Sequence, residues 1–554
     1  MFSFLKNIFN SASQKNAPTS IQPLAIESDS LAFKSAADTA IRSGNTMQAL
    51  ELYKKAIALE PGMAKAHVMC GHIYCGIKQY KLAETYLKKA IELAPEIADS
   101  YYLLGTIEAS ENNTEDAIHL FEKSLELDPN QPFAYRDLCL ALFSVRKLQN
   151  AEEVARKGIA LFPDFPDLYM HLGNTVAYLQ RPEEALLCFD KSSSLAGESP
   201  ELCYNQAAVH LSMNHFDEAL RLLERAQTLK PDYISARFDE AIIRLLRGEF
   251  DIGWKKFECR WQLDRLGLGK IKTFSQKWGG LESLSGKTIM LASEQGYGDA
   301  IQFIRYVKLV SDAGAKGIII VILTPLVELL QQLKSIPGVT HVINEWDVVP
   351  PHDYYCPLMS LPLAFGTTVK NIPADIPYLK SDAALVDNWD KKLGARQRPK
   401  RIGITWSGNP KHTNDHNRSL TLKQLKTIFE SDAEFVVLQK DINEESNHFI
   451  NDLENAIFHR PEIKSFSDTA ALIDLVDLVI SVDTSILHLA AAMGKPTWVM
   501  LPFCPDWRWM IDTDRSPWYP TVKLFRQKAQ GDWNSVVTPI TEELELFIVS
   551  DSVQ

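Results

Sequence analysis

Residues 49–61 read ALELYKKAIALEP, residues 83–95 AETYLKKAIELAP and residues 117–129 AIHLFEKSLELDP. Each stretch opens on an alanine and ends on a proline, and successive stretches are displaced by 34 residues. The frame returns at Ala151–Pro163 and Ala219–Pro231, and at Ala185 with Gly197 standing where another proline is due. Gly71, Gly105 and Gly173 fill a second column, and Tyr53, Phe121 and Phe189 a third. Every unit carries two runs with apolar residues at three- and four-residue spacing around a short polar turn (RSGNTM, GIKQY, SENNT), the pattern of a helical hairpin. Small residues at the alanine and glycine columns let two helices approach closely, and the proline stops the second helix. Hairpins repeated at a fixed period stack into a solenoid with a concave face.

The array is expected to cover residues 30–265. Its period and signature columns resemble the tetratricopeptide repeat over about residues 30–233. The last unit, SARFDEAIIRLLRGEFDIGWKKFECRW, places Gly253 in the alanine column and adds Trp254, Phe257 and Trp261; it reads as a cap that joins the array to the rest of the chain. Such surfaces bind peptides or proteins, and in other cases dimerise or brace a neighbour. A protein or peptide acceptor on the concave face is the expectation, with a homodimer as the alternative use. Histidines 67, 72, 119, 171, 210 and 215 fall in these helices and read as packing residues, not metal ligands.

Composition bounds the function. A chain of 554 residues needs several cores. Its net charge of −12 disfavours a general nucleic-acid or anionic-membrane binder. The eight cysteines show no CxxC pair or zinc spacing, which fits a reducing compartment. No run of 18 or more apolar residues predicts a transmembrane segment, and residues 1–29 lack the features of a secretory signal. That tail is expected to be flexible, with Phe2, Leu5 and Phe9 as a candidate contact face, and the expected location is cytoplasmic.

From about Leu284 the 34-residue register is lost and apolar β-rich runs alternate with helical ones. KTIMLAS, GIIIVIL and THVIN precede a proline-rich stretch; RIGITWSG, EFVVLQ, LVISV and PTWVMLP follow it. The alternation implies parallel sheets covered on both faces, hence two Rossmann-like domains at 284–385 and 398–550. The predicted class is therefore α + α/β, an all-α solenoid followed by two α/β domains whose strand ends border a shared cleft.

Three loops at predicted strand ends carry the candidate chemistry. ASEQGYGDAIQFIRY sets Gly296 and Gly298 after a strand and Asp299 at a helix start, where it serves either as an N-cap or as a general base. ITWSGNPKHTNDHNRS offers Lys411, His412, His416 and Arg418 in a polar loop suited to a diphosphate, or simply to solvent. SVDTSILHLAAAMGKP places Asp483, Thr484, Ser485 and His488 around a helix start whose amides attract anions.

SEQGYGDAIQFIRY together with LVISVDTSILHLAAAMGKPTWVMLP resembles the bacterial ADP-heptosyltransferase family over about residues 284–540. The resemblance implies a GT-B fold and a nucleotide-sugar donor; no DxD-like carboxylate cluster stands beside the donor loop, so no metal or cofactor is expected. It implies that Asp299 is the acceptor base and that Asp483, Thr484, Ser485 and His488 hold donor diphosphate and sugar. It also implies a phosphate contact from Lys411 or Arg418 and a nucleoside contact near Gln439. The order of repeats before such a module resembles the O-GlcNAc transferase architecture, in which an array presents a protein acceptor. CPDWRWM and DRSPWYPTVKLFRQ lie outside the heptosyltransferase pattern; Trp507, Arg508 and Trp509 either flank a sugar or nucleobase or pack at a domain junction. The expected function is inverting, metal-independent sugar transfer. A noncatalytic scaffold and a heptosyltransferase acting on a lipopolysaccharide-type glycolipid are the alternatives.

Overall fold

The computed structural model describes residues 29–263, 273, 275–294, 296–409, 415–440, 442, 444–457 and 462–549. The expected tail lies outside these residues except for Asp29, which opens the first helix, and Lys411 lies outside them too. The chain divides into two compact units, 1–209 and 210–554.

The first unit is a succession of helix pairs such as Ala64–Gly76 with Tyr80–Leu93 and Ala98–Ser110 with Thr114–Leu127. The alanine column is wholly buried at Ala49, Ala83, Ala117, Ala151 and Ala185. The glycine column faces large side chains of the partner helix. A Cβ at Gly105 would stand 2.6 Å from the Phe121 ring, one at Gly173 2.5 Å from Phe189, and one at Gly71 2.5 Å from Leu87. Small and large residues therefore interlock within these three hairpins, which fixes the separation of their helices.

The second unit begins inside the repeat register. Helices Phe216–Leu229, Ile234–Leu246 and Phe250–Phe257 lead through a 3₁₀ turn, Glu258–Gln262, to two sheets. Trp254 packs edge-on against Trp507 and Phe303 and gives its indole N–H to the Thr367 carbonyl at 3.1 Å. Phe250 and Trp518 complete this buried aromatic group. The last helical pair is thus embedded in the core of the α/β region.

The strands are β1 (Gln276–Lys277), β2 (Thr288–Ala292), β3 (Gly317–Ile322), β4 (Val339–Asn344), β5 (Tyr354–Pro357), β6 (Lys400–Thr405), β7 (Ala433–Val437), β8 (Ala456–Ile457), β9 (Leu478–Val482), β10 (Thr497–Leu501) and β11 (Val522–Arg526). One sheet has the order β1-β5-β2-β3-β4 and the other β11-β10-β9-β6-β7-β8. The strand pairs in both are parallel, and β3, β6, β7, β9 and β10 are buried at each position. This is a two-domain, GT-B-like arrangement following a tetratricopeptide-like stack.

Several elements differ from expectation. β5 lies in the proline-rich stretch, ending on Pro357 where a missing N–H costs no further ladder bond. The helix expected from Asp299 to Ala313 starts at Tyr297 and tightens into a 3₁₀ turn at Ile304–Tyr306. That turn holds Arg305 inward, where it donates to the carbonyls of Trp518 at 2.6 Å and Pro373 at 3.1 Å. The segment PTVKLFRQ, assigned no element by sequence, supplies β11, and the helix Asn534–Val549 follows it.

Strand order reverses direction between β6 and β9 in one sheet and between β2 and β5 in the other. Ligands of open parallel sheets bind outside the carboxyl ends of strands at such switch points.

Candidate functional site

Outside the β6/β9 switch point, polar groups tie three loops together. The amides of Trp406 and Ser407 donate to Gln439 Oε1 at 3.1 and 3.0 Å, so the Gln439 side chain braces the loop after β6. Arg418 sits in the short helix Asp415–Arg418, with Nε on Asp415 at 3.2 Å and Nη1 on the Asp483 carbonyl at 3.0 Å. It thereby joins the loop after β6 to the loop after β9. A Cβ at Gly408 would collide with both Asp415 and Arg418, which explains a glycine there. Beneath, Thr405 and Ser481 share a hydroxyl hydrogen bond of 2.6 Å, and Ser481 reaches Thr484 at 3.3 Å. Thr484 is the extended N-cap of the helix Ser485–Ala492, and its own side chain does not cap the helix; the first amides carry the partial positive charge of a helix start.

The first sheet's loop meets this cluster. Gly296, not Asp299, is the N-cap of the helix Tyr297–Phe303, which leaves Asp299 within the first turn. A Cβ at Gly298 would lie 2.8 Å from His488 Cδ2, so the glycine admits the imidazole. Asp299 forms an ion pair with Arg508. Arg508 also donates from Nε to Gln302 Oε1 at 2.6 Å and from Nη1 to Asp506 Oδ1 at 2.8 Å. Burial opposes the guanidinium charge, but Asp506, Asp299 and Asp483 outweigh it and raise its pKa.

His488 Nδ1 lies 2.9 Å from the Tyr519 hydroxyl, its ring stacks on Trp509 at 5.7 Å, and its Nε2 is 3.8 Å from Asp483 Oδ1. Burial, reinforced by the charges of Arg508 and Arg305, holds its pKa well below the usual histidine value; the ring is neutral at physiological pH. Asp483 is pushed up to about 6 by burial and by Asp506, against the opposing influence of the Trp509 indole, Arg508 and Arg418.

The structure therefore brings Gly298, Asp299, Arg418, Asp483, Thr484 and His488 into one polar cluster, with Gly296 and Ser485 beside them. It sets Gln439 below as a brace. The alternatives left open for the tryptophans resolve as packing: Trp507 and Trp509 are buried among protein groups. Arg508, expected either beside a sugar or nucleobase or at a junction, joins the site through its ion pair with Asp299, a partner the sequence did not indicate.

Outside the β2/β5 switch point stands a second polar group. Glu294 receives two hydrogen bonds from Arg260, at 2.7 and 2.9 Å, and one from the Met359 amide at 3.1 Å. Arg260 also reaches Glu258 at 2.7 Å and Ser360 at 2.8 Å. Burial raises the Glu294 pKa, and Arg260 works against that rise. Sequence reading missed this pair; its one signal is a glutamate directly after an apolar strand.

Among the described residues no group of three or more His, Cys, Asp or Glu is arranged to hold a metal, and no helix is long and apolar enough to cross a membrane. Among the described residues no disulfide links the cysteines.

Tetratricopeptide repeat models match residues 40–107, 98–131 and 200–233, and the glycosyltransferase family 9 (heptosyltransferase) model matches residues 461–499. The latter span contains Asp483, Thr484, Ser485 and His488. Protein FlbA of Caulobacter vibrioides is 25% identical over 323 residues, covering 54% of this chain and 53% of its own length; the chain thus spans about half of that curated relative. Among solved structures, YrrB, described as a tetratricopeptide repeat protein with an unusual peptide-binding site, aligns at 20% identity with a TM-score of 0.31 over 34% of this chain and 97% of its own. PilF of Pseudomonas aeruginosa aligns at 18% identity with a TM-score of 0.35 over 38% and 97%.

Proposed function

We propose that the second unit transfers a sugar from a nucleotide diphosphate sugar to an acceptor hydroxyl with inversion, and that the helical array presents a protein or peptide acceptor. The observation that carries this reading is the convergence of Asp299 from one sheet with Asp483, Thr484 and His488 from the other, at a switch point of parallel strands. Asp299 takes the acceptor proton. Lys411 or Arg418, with the helix start at Ser485, stabilises the departing diphosphate, as fixed dipoles and charges do at sites of developing negative charge. Neutral His488 and Asp483 contact donor hydroxyls. The reading requires neither a cofactor nor a metal, and places the reaction in the cytoplasm.

The test is turnover of a nucleotide sugar identified from a thermal-shift panel. Asp299→Asn lowers the rate about 10²–10⁴-fold if the carboxylate is the base; a variant within about threefold of the parent removes Asp299 from that role. The heptosyltransferase match supports a second acceptor class, a lipopolysaccharide-type glycolipid. Sugar appearing on glycolipid and not on a protein captured by the array selects it. A parent protein that binds no nucleotide sugar leaves the scaffold reading.

A further inference from the structure

Arg508 connects the loops of the two sheets. It follows β10, on the side of the second sheet, yet Asp299 and Gln302, two of its three side-chain partners, belong to the helix after β2. Asp506, the third, shares its loop. Asp483 lies close enough to raise its pKa, so three carboxylates converge on one guanidinium. The nearby Arg418 is itself engaged by Asp415. Such an arrangement is poorly matched to a diphosphate dianion while each carboxylate stays in place. Of the three, Asp299 is the one contributed by the first sheet's loop, and at 22% exposed it is reachable from solvent, as is Asp506 at 36%; Asp299 alone can withdraw with its own helix without moving the loop that carries Arg508.

We propose that Arg508 is a ligand of the donor diphosphate that Asp299 occupies until donor arrives. This rests on the transfer reading above and specifies how its site is controlled. The diphosphate takes the Nη2 edge of the guanidinium in place of Asp299. The released carboxylate, no longer neutralised by a guanidinium, gains basicity and faces the acceptor. It then accepts the hydroxyl proton as the acceptor oxygen bonds to the anomeric carbon. The bond between that carbon and the phosphate oxygen breaks, and its electron pair leaves with the nucleoside diphosphate. Donor must therefore bind before acceptor, and an acceptor alone meets a masked base.

The experiment is calorimetric titration of the full-length protein with ADP, GDP, UDP and CDP, comparing the parent, Asp299→Asn, Arg508→Lys and the double variant. Removing the internal competitor makes Asp299→Asn bind the preferred nucleotide about tenfold more tightly, a change of about 1.4 kcal/mol, although it is the variant that loses turnover. Arg508→Lys, which cannot offer the planar fork, binds at least about tenfold more weakly. In its background the gain from Asp299→Asn disappears, which separates release of Arg508 from mere removal of a negative charge. If Arg508→Lys fails to fold, Asp506→Asn replaces the control: it removes a carboxylate on the same guanidinium without opening the Nη2 edge, so a tenfold gain in Asp299→Asn that Asp506→Asn does not share supports the proposal, and an equal gain in both overturns it. Affinity of Asp299→Asn within about twofold of the parent, or a gain that survives in the double variant, overturns the proposal and leaves the transfer reading intact. Failure of all four nucleotides to bind either the parent or Asp299→Asn brings down both.

Discussion

Gly105 in the first unit and Glu294 in the second are both buried against large partners, but the partners are reached differently. Phe121 fills the space over Gly105 from the next helix of the same hairpin, and the arrangement recurs with Gly173 and Phe189. Glu294 is met by Arg260, which arrives from the end of the helical region, and by Met359, which follows β5. Asp299 is met by Arg508 across 209 positions of sequence. The first unit is built of local, repeated contacts; in the second, unique long-range polar contacts are added to its apolar cores. A periodic structure distributes its stability over many similar interfaces, whereas the second unit concentrates charge in a few desolvated pairs.

Breaking one such pair has the largest expected effect. Arg260→Ala strands Glu294 without its buried counter-charge and destabilises the second unit by about 3–5 kcal/mol, read by chemical denaturation. Lys147→Ala in the array, which removes the exposed partner of Glu115, leaves the midpoint nearly unchanged. Equal effects of the two substitutions would erase the contrast.

Next comes Asp483. Its raised pKa means the folded state holds a proton that the unfolded state has already lost between about pH 4 and 6. Its contribution to stability therefore falls as pH rises through that window, and the penalty is complete above it. Asp483→Asn should raise the stability of the second unit by about 2–3 kcal/mol at pH 7–8 and give no gain below about pH 4. A gain independent of pH would place its cause in packing and not in charge.

Gly105→Ala probes the local interlock. The added methyl meets Phe121 at 2.6 Å, and overpacking of this kind costs about 1–3 kcal/mol. The loss should appear in melting of the first unit while nucleotide binding is unaffected. Lys78→Gly has the smallest expected effect and the opposite sign. Lys78 adopts φ 59°, and relieving a side chain of that backbone region stabilises by at most about 1 kcal/mol.

Lys78 also shows where sequence reading stops. The turns within the hairpins place Gly44, Lys78, Asn112, Arg146 and Gln180 in the left-handed region, with φ between 58° and 81°, and Asn214 and Gly248 of the second unit continue the column. The positions keep the 34-residue spacing and fall in the polar turns, but only Gly44, Asn112, Asn214 and Gly248 are of the types that favour this region, so Lys78, Arg146 and Gln180 hide the column. The alanine and glycine columns are visible because sterics there admit few residues. In the candidate site Asp299, Asp483, Thr484 and His488 were legible because each stands at the end of an apolar strand or the start of a helix. Gln439 was legible only as a position, and its role as a brace follows from amides it meets in another loop. β5, ending on a proline, gave no alternation to read.

The 34-residue period, the small-residue columns and the apolar runs by themselves determined the helical stack and the two parallel sheets, because helix spacing and strand burial restrict side chains at regular intervals along the chain. The tertiary structure alone decided that the repeat register ends inside the second unit, that Trp507 and Trp509 are packed away, that Arg260 holds Glu294 and that Arg508 holds Asp299. A buried ion is stable only beside a counter-ion, and which carboxylate stands beside which guanidinium depends on how distant segments are brought together, a relation with no period and no local pattern.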